Sequence, residues 1–435
     1  MRIDTVDQRK FAVRLTWVNH ASLLLESGGV RLVCDPWIEG AVFNGGWRLM
    51  SPTKMRYDDF ANVTHIWFSH EHPDHFFPPN LKNIAEPIRR KITVLFHETR
   101  DKRVVDVCRS LGFAVQELPN RTAVRIGDDF TIVCGRNDLI DSWIAILGEG
   151  KTVLNLNDCV FPKNDELSTM RSQIGKVDLL LSQFSYANWV GNPGDVATHR
   201  AHAMKKRVQM RAQIEMFRPR QFIPFASYVY FCHEENFYMN QSVNRIGDIF
   251  RFLTDELGQE TVVLYPGDQW EVGLQCDSKE AIEKYEADFQ DDLSSPPLKS
   301  EPVDLRELQS AMANLIAKTR KKNSSLVLKV MPPSVVRLLD LRQDVEVSYR
   351  SGIRPVQGKR PDLVLSSESL LYCIETDWGG ETLKINGRFE VPAGGNPARF
   401  FRLFRVPQYN SYGSDVNLRF VAGRLLDGVR RHASH

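Results

Sequence analysis

The run 66–77, IWFSHEHPDHFF, packs His70, Glu71, His72, Asp74 and His75 into six positions behind an apolar stretch. Imidazole and carboxylate are the usual ligands of zinc, iron or manganese, and burying them without partners is costly. An extended chain puts His70 and His72 on one side, but Pro73 stops that pattern. A loop leaving the end of a strand can instead fold several ligands around one point. Asp74 and His75 are adjacent and can serve a second centre beside that of His70 and His72. A two-metal site of this kind also needs a bridging oxygen ligand from elsewhere in the chain.

The elements that must position this loop read as an α/β sandwich. AVRLTWVNHASLLLES, an SGG turn and VRLVCDPW form hairpin strands with period-2 alternation. THIWFSH, KITVLF, FTIVCG, SWIAIL, TVLNLND, VDLLLSQFS and RQFIPFAS follow as short apolar strands. THRAHAMKKRVQMRAQIEMF, over 198–217, has helical spacing and strong helix formers. Its basic MKKRVQMR run reads as a solvated face, with His199 and His202 on its exposed surface; an anionic substrate is the sharper reading. Strand–loop–helix units after hairpins predict mixed sheets with helices outside.

An acidic and then Ser/Pro-rich stretch, 276–302, predicts a helix running into a linker between a catalytic unit over 11–275 and a smaller α+β unit over 303–435. In the second unit, LRELQSAMANLIAKTRKK reads as a helix, and SLVLKVM and DVEVSYR as strands. PDLVLSSESLLYCIETDWGGETLKINGRFEV then reads as strand, helix, turn, strand, with the WGGET turn in a structural role.

The whole chain has 435 residues and a formal net charge of +2, which attracts neither nucleic acid nor membranes. The 7 cysteines are scattered, as expected of free thiols in a reducing compartment. With no secretory signal and no apolar run of membrane-spanning length, a soluble cytoplasmic protein is expected.

His70-Glu71-His72-Pro73-Asp74-His75, with the NHASLLLESGGVRLVCDPW hairpin and VLNLNDC, resembles the metallo-β-lactamase superfamily over about residues 11–275. The resemblance implies an αββα sandwich with the metal site at one edge. It implies Asp158, after TVLNLN, as the bridging carboxylate, and His233, in FASYVYFCHEEN, as the late ligand. Glu234, Glu235 and Asn236 would hold that histidine. Asp35 in the CDPW turn matches a position of structural support. The superfamily pattern also expects a histidine one strand before the bridging aspartate, and this chain has none between His97 and His199. Asn137, Asp138 or Asp141 must fill that place, or it is vacant; Asp138 is the one taken here, and a carboxylate there favours iron or manganese over zinc.

NHASLLLESGGVRLVCDPWIEGAVFNGGW, VLNLNDC, FASYVYFCHEEN and GGETLKINGRF resemble the lactamase-like part of the CMP-N-acetylneuraminate hydroxylase family. Those hydroxylases also carry a Rieske module, whose CxH and CxxH ligand pairs this chain lacks. The Rieske-dependent electron path and the sialic-acid substrate are therefore not carried over. The hydroxylase-like stretches and the missing histidine favour a two-iron oxygenase reduced by an external electron-donor protein, with Asp74 and Asp158 as catalytic carboxylates, and the basic run adds a small, anionic metabolite as its substrate. The alternatives are a zinc or manganese hydrolase of an ester, amide or phosphodiester, and a non-catalytic binding protein with a degenerate site. Tyr186, Asn188 and Trp189, in SQFSYANWVGNPGD, are candidate substrate-pocket residues, with ordinary loop packing as the other reading. PDLVLSSESLLYCI and LKINGRFEV resemble a sterol-carrier-like module. Such modules present an apolar cleft or mediate dimer contacts, so a homodimer is among the expectations.

Overall fold

The computed structural model describes residues 13–137, 140–161, 164–420 and 422–423. The first unit begins with β1 (Arg14–Asn19), β2 (Ser22–Ser27) and β3 (Val30–Cys34), followed by β4 (Trp47–Leu49), β5 (His65–Trp67), α1 (Pro78–Asn83) and α2 (Glu86–Arg89). Next come β6 (Thr93–His97), α3 (Arg103–Ser110), β7 (Ala114–Leu118), β8 (Ala123–Gly127), β9 (Phe130–Asn137), β10 (Asp141–Gly148) and β11 (Lys151–Asn155). The unit closes with α4 (Asn164–Ile174), β12 (Leu179–Gln183), α5 (Val196–Phe217), β13 (Gln221–Phe225), β14 (Val229–Phe231), α6 (Ile246–Arg251), β15 (Gln269–Glu271) and α7 (Lys279–Ser294).

One sheet runs β15-β1-β2-β3-β5-β6-β7 and a second runs β13-β12-β11-β10-β9-β8. Strand alternation explains how they pack. Leu15, Trp17, Leu23, Leu25, Leu32, Trp67 and Leu95 of the first sheet share a core with Ile132, Ile144, Ile146, Val153 and Leu179 of the second. The alternate residues Val18, Leu24, Val33, Ile66 and Val94 turn outward and meet Leu81, Val104 and Cys108 of the covering helices. Both faces are therefore apolar, as a sheet between another sheet and helices requires. The result is the αββα sandwich. Cys276 and the other six cysteines are free thiols.

The stretch 276–302 is less of a linker than expected. It holds α7, whose Tyr285 is buried in the first unit's core and accepts a hydrogen bond from Trp17 Nε1 at 2.8 Å. His199, expected on the surface of α5, is buried beside the ring of Tyr238 at 5.7 Å.

The second unit is α+β. It comprises α8 (Leu305–Arg320), α9 (Ser325–Val330), β16 (Ser334–Leu338), β17 (Gln343–Ser348), β18 (Gly352–Pro355), β19 (Leu363–Leu365), α10 (Ser367–Glu375), α11 (Gly379–Asn386) and α12 (Pro397–Ser411). Its sheet runs β18-β17-β16-β19 and packs on its own helical core. Two segments differ from the sequence reading. SLVLKVM forms α9, because Ser324 caps a helix there by accepting from Val327 N. WGGETLKIN forms α11 rather than a turn and strand, and Gly387, with φ 68°, ends it in the left-handed region. Among the described residues no helix is long and apolar enough to cross a membrane.

The units are interlocked through NGRF (386–389) and FNGGW (43–47). Asn386 Nδ2 donates to Phe43 O at 2.9 Å, and a Cβ on Gly46 would fall 2.5 Å from Asn386 Cβ, so only glycine allows the approach. Arg388 is fully buried and donates to Glu235 at 2.7 Å, Ser300 at 2.9 Å, Glu368 at 3.2 Å and the carbonyl of Asn44. Removing one partner of a buried ion pair strands the other. Arg388→Ala is expected to cost about 3–5 kcal/mol, read as a lower denaturant midpoint together with faster proteolysis between the units.

Candidate metal centre

Three loops at the ends of first-sheet strands and one from the second sheet meet at this site. β5 ends at Trp67, and residues 69–75 turn back on themselves, with His72 O accepting from His75 N at 3.0 Å and from Phe76 N at 2.7 Å. That turn brings His70, His72, Asp74 and His75 to one side. His70 Nε2 lies 2.9 Å from His72 Nδ1. His75 Nε2 lies 3.3 Å from Asp74 Oδ2 and 3.5 Å from Asp158 Oδ2. Asp158 arrives from the loop after β11, where Asn157 takes a φ of 50°.

A sixth residue, unassigned from sequence, joins them. His20 sits in the β1–β2 turn at φ 38°, buried, with Nε2 3.4 Å from Asp74 Oδ2. A histidine inside a tight turn between two apolar strands was the available signal. Ligand atoms group as His20/Asp74/His75, His70/His75/Asp158 and His70/His72/Asp74, each set lying within 4.8 Å. Asp74 Oδ1, His75 Nε2 and Asp158 Oδ1 are buried without hydrogen-bond partners. Buried polar atoms normally find partners, so these nitrogen and oxygen atoms suit a metal ion.

Asp35 holds the cluster from behind. Also at a left-handed φ of 41°, it accepts from Ser69 N at 2.7 Å, Ser69 Oγ at 2.6 Å and Asn157 Nδ2 at 2.5 Å, and it lies 2.9 Å from His75 Nδ1. Its carboxylate therefore turns the other nitrogen of His75, Nε2, toward Asp74 and Asp158. Left-handed backbone at His20, Asp35 and Asn157 is strain of the kind that concentrates at functional sites.

The charges are arranged unevenly. Burial, helped by His75, lowers His70 to about 4, and burial together with His70 lowers His72 to about 4, so both imidazoles are neutral donors at neutral pH. Burial opposes a proton on His75, but the Asp74, Asp158 and Asp35 carboxylates outweigh it and hold its pKa well above the usual value. Burial likewise opposes ionisation of Asp74 and Asp158, yet His75 keeps both below the usual carboxylate range. Lys206, on α5, extends to Gln183 Oε1; burial lowers its pKa, and the Asp158 and Asp141 carboxylates oppose that shift.

Of the other expected ligands, one is not described and one lies elsewhere. Asp138 lies outside the described residues. Its neighbour Asp141, at the start of β10, has Oδ1 3.9 Å from His70 Nε2. His233 is not brought to the cluster. Its Nδ1 lies 3.3 Å from Glu235, its backbone N donates to Asn236 Oδ1 at 3.0 Å, and it pairs with Leu298 at the junction of the units. The strand-end residue that reaches the site is instead Ala226, whose N donates to His20 O at 3.1 Å and which offers no ligand atom. Tyr186 is buried, Trp189 is partly buried and Asn188 is exposed, and none of the three lies among the clustered ligands. Tyr186 Oη donates to Met239 O at 2.5 Å, Asn188 Nδ2 to Trp189 O at 3.0 Å, and Trp189 stacks on Phe389 at 4.7 Å.

Residues 14–132 match the family model of the beta-lactamase superfamily domain. The first unit is a metallo-β-lactamase-fold domain. A protein of Mycolicibacterium smegmatis named for a Rieske 2Fe-2S iron-sulfur centre is 27% identical over 224 residues, covering 48% of this chain and 41% of its own length. The cytidine monophosphate-N-acetylneuraminic acid hydroxylase of Danio rerio is 26% identical over 251 residues, covering 53% and 40%. The chain thus spans about two fifths of the length of these curated relatives. The solved structure of CmlA, a diiron beta-hydroxylase from Streptomyces venezuelae, superposes with a TM-score of 0.43 at 16% identity, over 60% of this chain and 54% of that one.

Two outcomes follow for this metallo-β-lactamase-fold centre. Asp35→Ala, which frees His75 to rotate, is expected to weaken metal binding about 10–100-fold, measured by competition with a chelator. A metal ion must displace the proton that the carboxylates hold on His75, so metal affinity rises with pH and falls on acidification. Equilibrium dialysis at about pH 8 is expected to give higher occupancy than at about pH 6.

Proposed function

We propose that the chain is a metal-dependent oxygenase of the hydroxylase type, acting on a small molecule with two iron ions held by His70, His72, Asp74, His75 and Asp158. His20 and Asp141 stand beside this set. The observation that carries the reading is the donor composition: imidazoles and carboxylates around one point, with the carboxylate Asp141 facing His70. A carboxylate there in place of a histidine adds an oxygen donor, which shifts preference from zinc toward iron or manganese. The hydroxylase named among the curated relatives supports the same direction.

Bound there, the metal ions would supply Lewis acidity and, as iron, redox capacity. The chain's own residues do the rest. Neutral His70 and His72 offer lone pairs without first losing a proton. Asp74 and Asp158 stay ionised and neutralise cationic charge. Asp35 fixes the ring of His75. Hydroxylation by dioxygen consumes two electrons and two protons and releases one water, so an external electron donor is part of the proposal.

A zinc hydrolase is the second reading, favoured by the family model's own description. Metal analysis and absorbance of aerobically purified protein separate the two. About two irons per chain, lost together with activity in His72→Ala, are expected. Zinc as the sole metal, together with ester hydrolysis, would overturn the oxygenase reading.

A further inference from the structure

A cleft of about 350 Å³ lies between the metal loop and the second unit, with His72 in its wall. The first unit contributes Phe43, Phe76 and Phe77, and α10 and α11 contribute Tyr372 and Ile385, with Trp378 at the start of α11. Phe43 meets the His72 ring edge-on at 6.0 Å. A larger cleft, about 970 Å³, is lined by Glu39, Arg48 and Asp292 and touches none of the clustered ligands.

The charged groups around the smaller cleft already have partners. Arg103 pairs with Glu71 at 3.0 Å and Asp101 at 3.2 Å, and its guanidinium lies over Trp378 at 4.7 Å and Tyr412 at 5.2 Å. Glu381 pairs with Lys384 at 2.8 Å. An anion entering here would meet a cation already neutralised, and it would trade water for aromatic walls at a desolvation cost. A flat apolar body would instead gain stacking and burial.

We propose that this cleft binds a small molecule with a flat, apolar ring system, inserted between Phe77 and Trp378 so that one end lies against His72. The site needs both units, because neither alone supplies two walls. The proposal rests on the metal-enzyme reading only in taking the end of the molecule beside His72 as the one that reacts, and it sets aside the anionic metabolite expected from the basic run of α5.

Ligand-observed NMR on the full chain tests it, with 2-naphthol as probe and N-acetylneuraminate as a polyhydroxylated acid. Saturable binding of 2-naphthol is expected, weakened about tenfold or more by filling the cleft with Thr382→Trp, and no binding of N-acetylneuraminate displaceable by 2-naphthol. Thr382 is buried, so Val107→Trp on the partly exposed α3 is a second filling variant that tolerates added bulk. Absent 2-naphthol binding, equal binding to a folded filled variant, or displaceable N-acetylneuraminate binding would each overturn the proposal. Metal content is measured in parallel: probe binding by a chain that takes up no metal removes the enzyme reading and keeps the cleft. A metal-loaded chain that ignores the probe does the reverse.

Discussion

The carboxylate of Asp35 is the constraint on which the site depends. It is fully buried, and among the described residues its ion-pair partner is the histidine it orients. Ser69 from the loop after β5 and Asn157 from the loop after β11 both donate to it. One side chain therefore ties the two sheets together at the edge where the ligands emerge. A buried carboxylate left without those donors would be expensive, so folding of either loop favours the other. Ser142 extends the tie, since its Oγ donates to Ser69 O at 2.5 Å and so links β10 to the metal loop.

The second unit is part of the same construction. Arg388 and Asn386 enter a seam where Gly46 allows close approach, and that seam lies beside Phe43, the aromatic residue that touches His72. The buried Arg388 is costly to desolvate, and its value lies in register: four acceptors at fixed angles define one docked arrangement. Docking in turn places Trp378 over Arg103 and closes one side of the cleft at the metal loop.

Much of this was readable from residue order. The apolar runs of WVNHASLLLES and VRLVC mark the hairpin strands, and dense ligands after IWFS mark a site at a strand end. The distant members were harder. His233 follows an apolar stretch just as a strand-end ligand would, yet β13 stops at Phe225 and the chain passes through β14 before His233, which carries it to the junction of the units. WGGET looked like a turn because paired glycines usually break helices, but here they begin one, where the first turn has no intrahelical bond to lose.

Local sequence determined the chemistry on offer: imidazoles and carboxylates in one loop, a sandwich to hold them, and an aspartate after β11 to join them. Tertiary structure decided which residues meet. His20 joined the cluster through a hairpin turn, His233 left it, and an aromatic cleft formed from two units far apart in the chain. The reason is physical. Spacing along one strand or loop is set by backbone geometry, so it can be read from order alone. Proximity between loops depends on how twisted sheets and docked helices pack, which is a sum over many buried contacts and is written in no single segment.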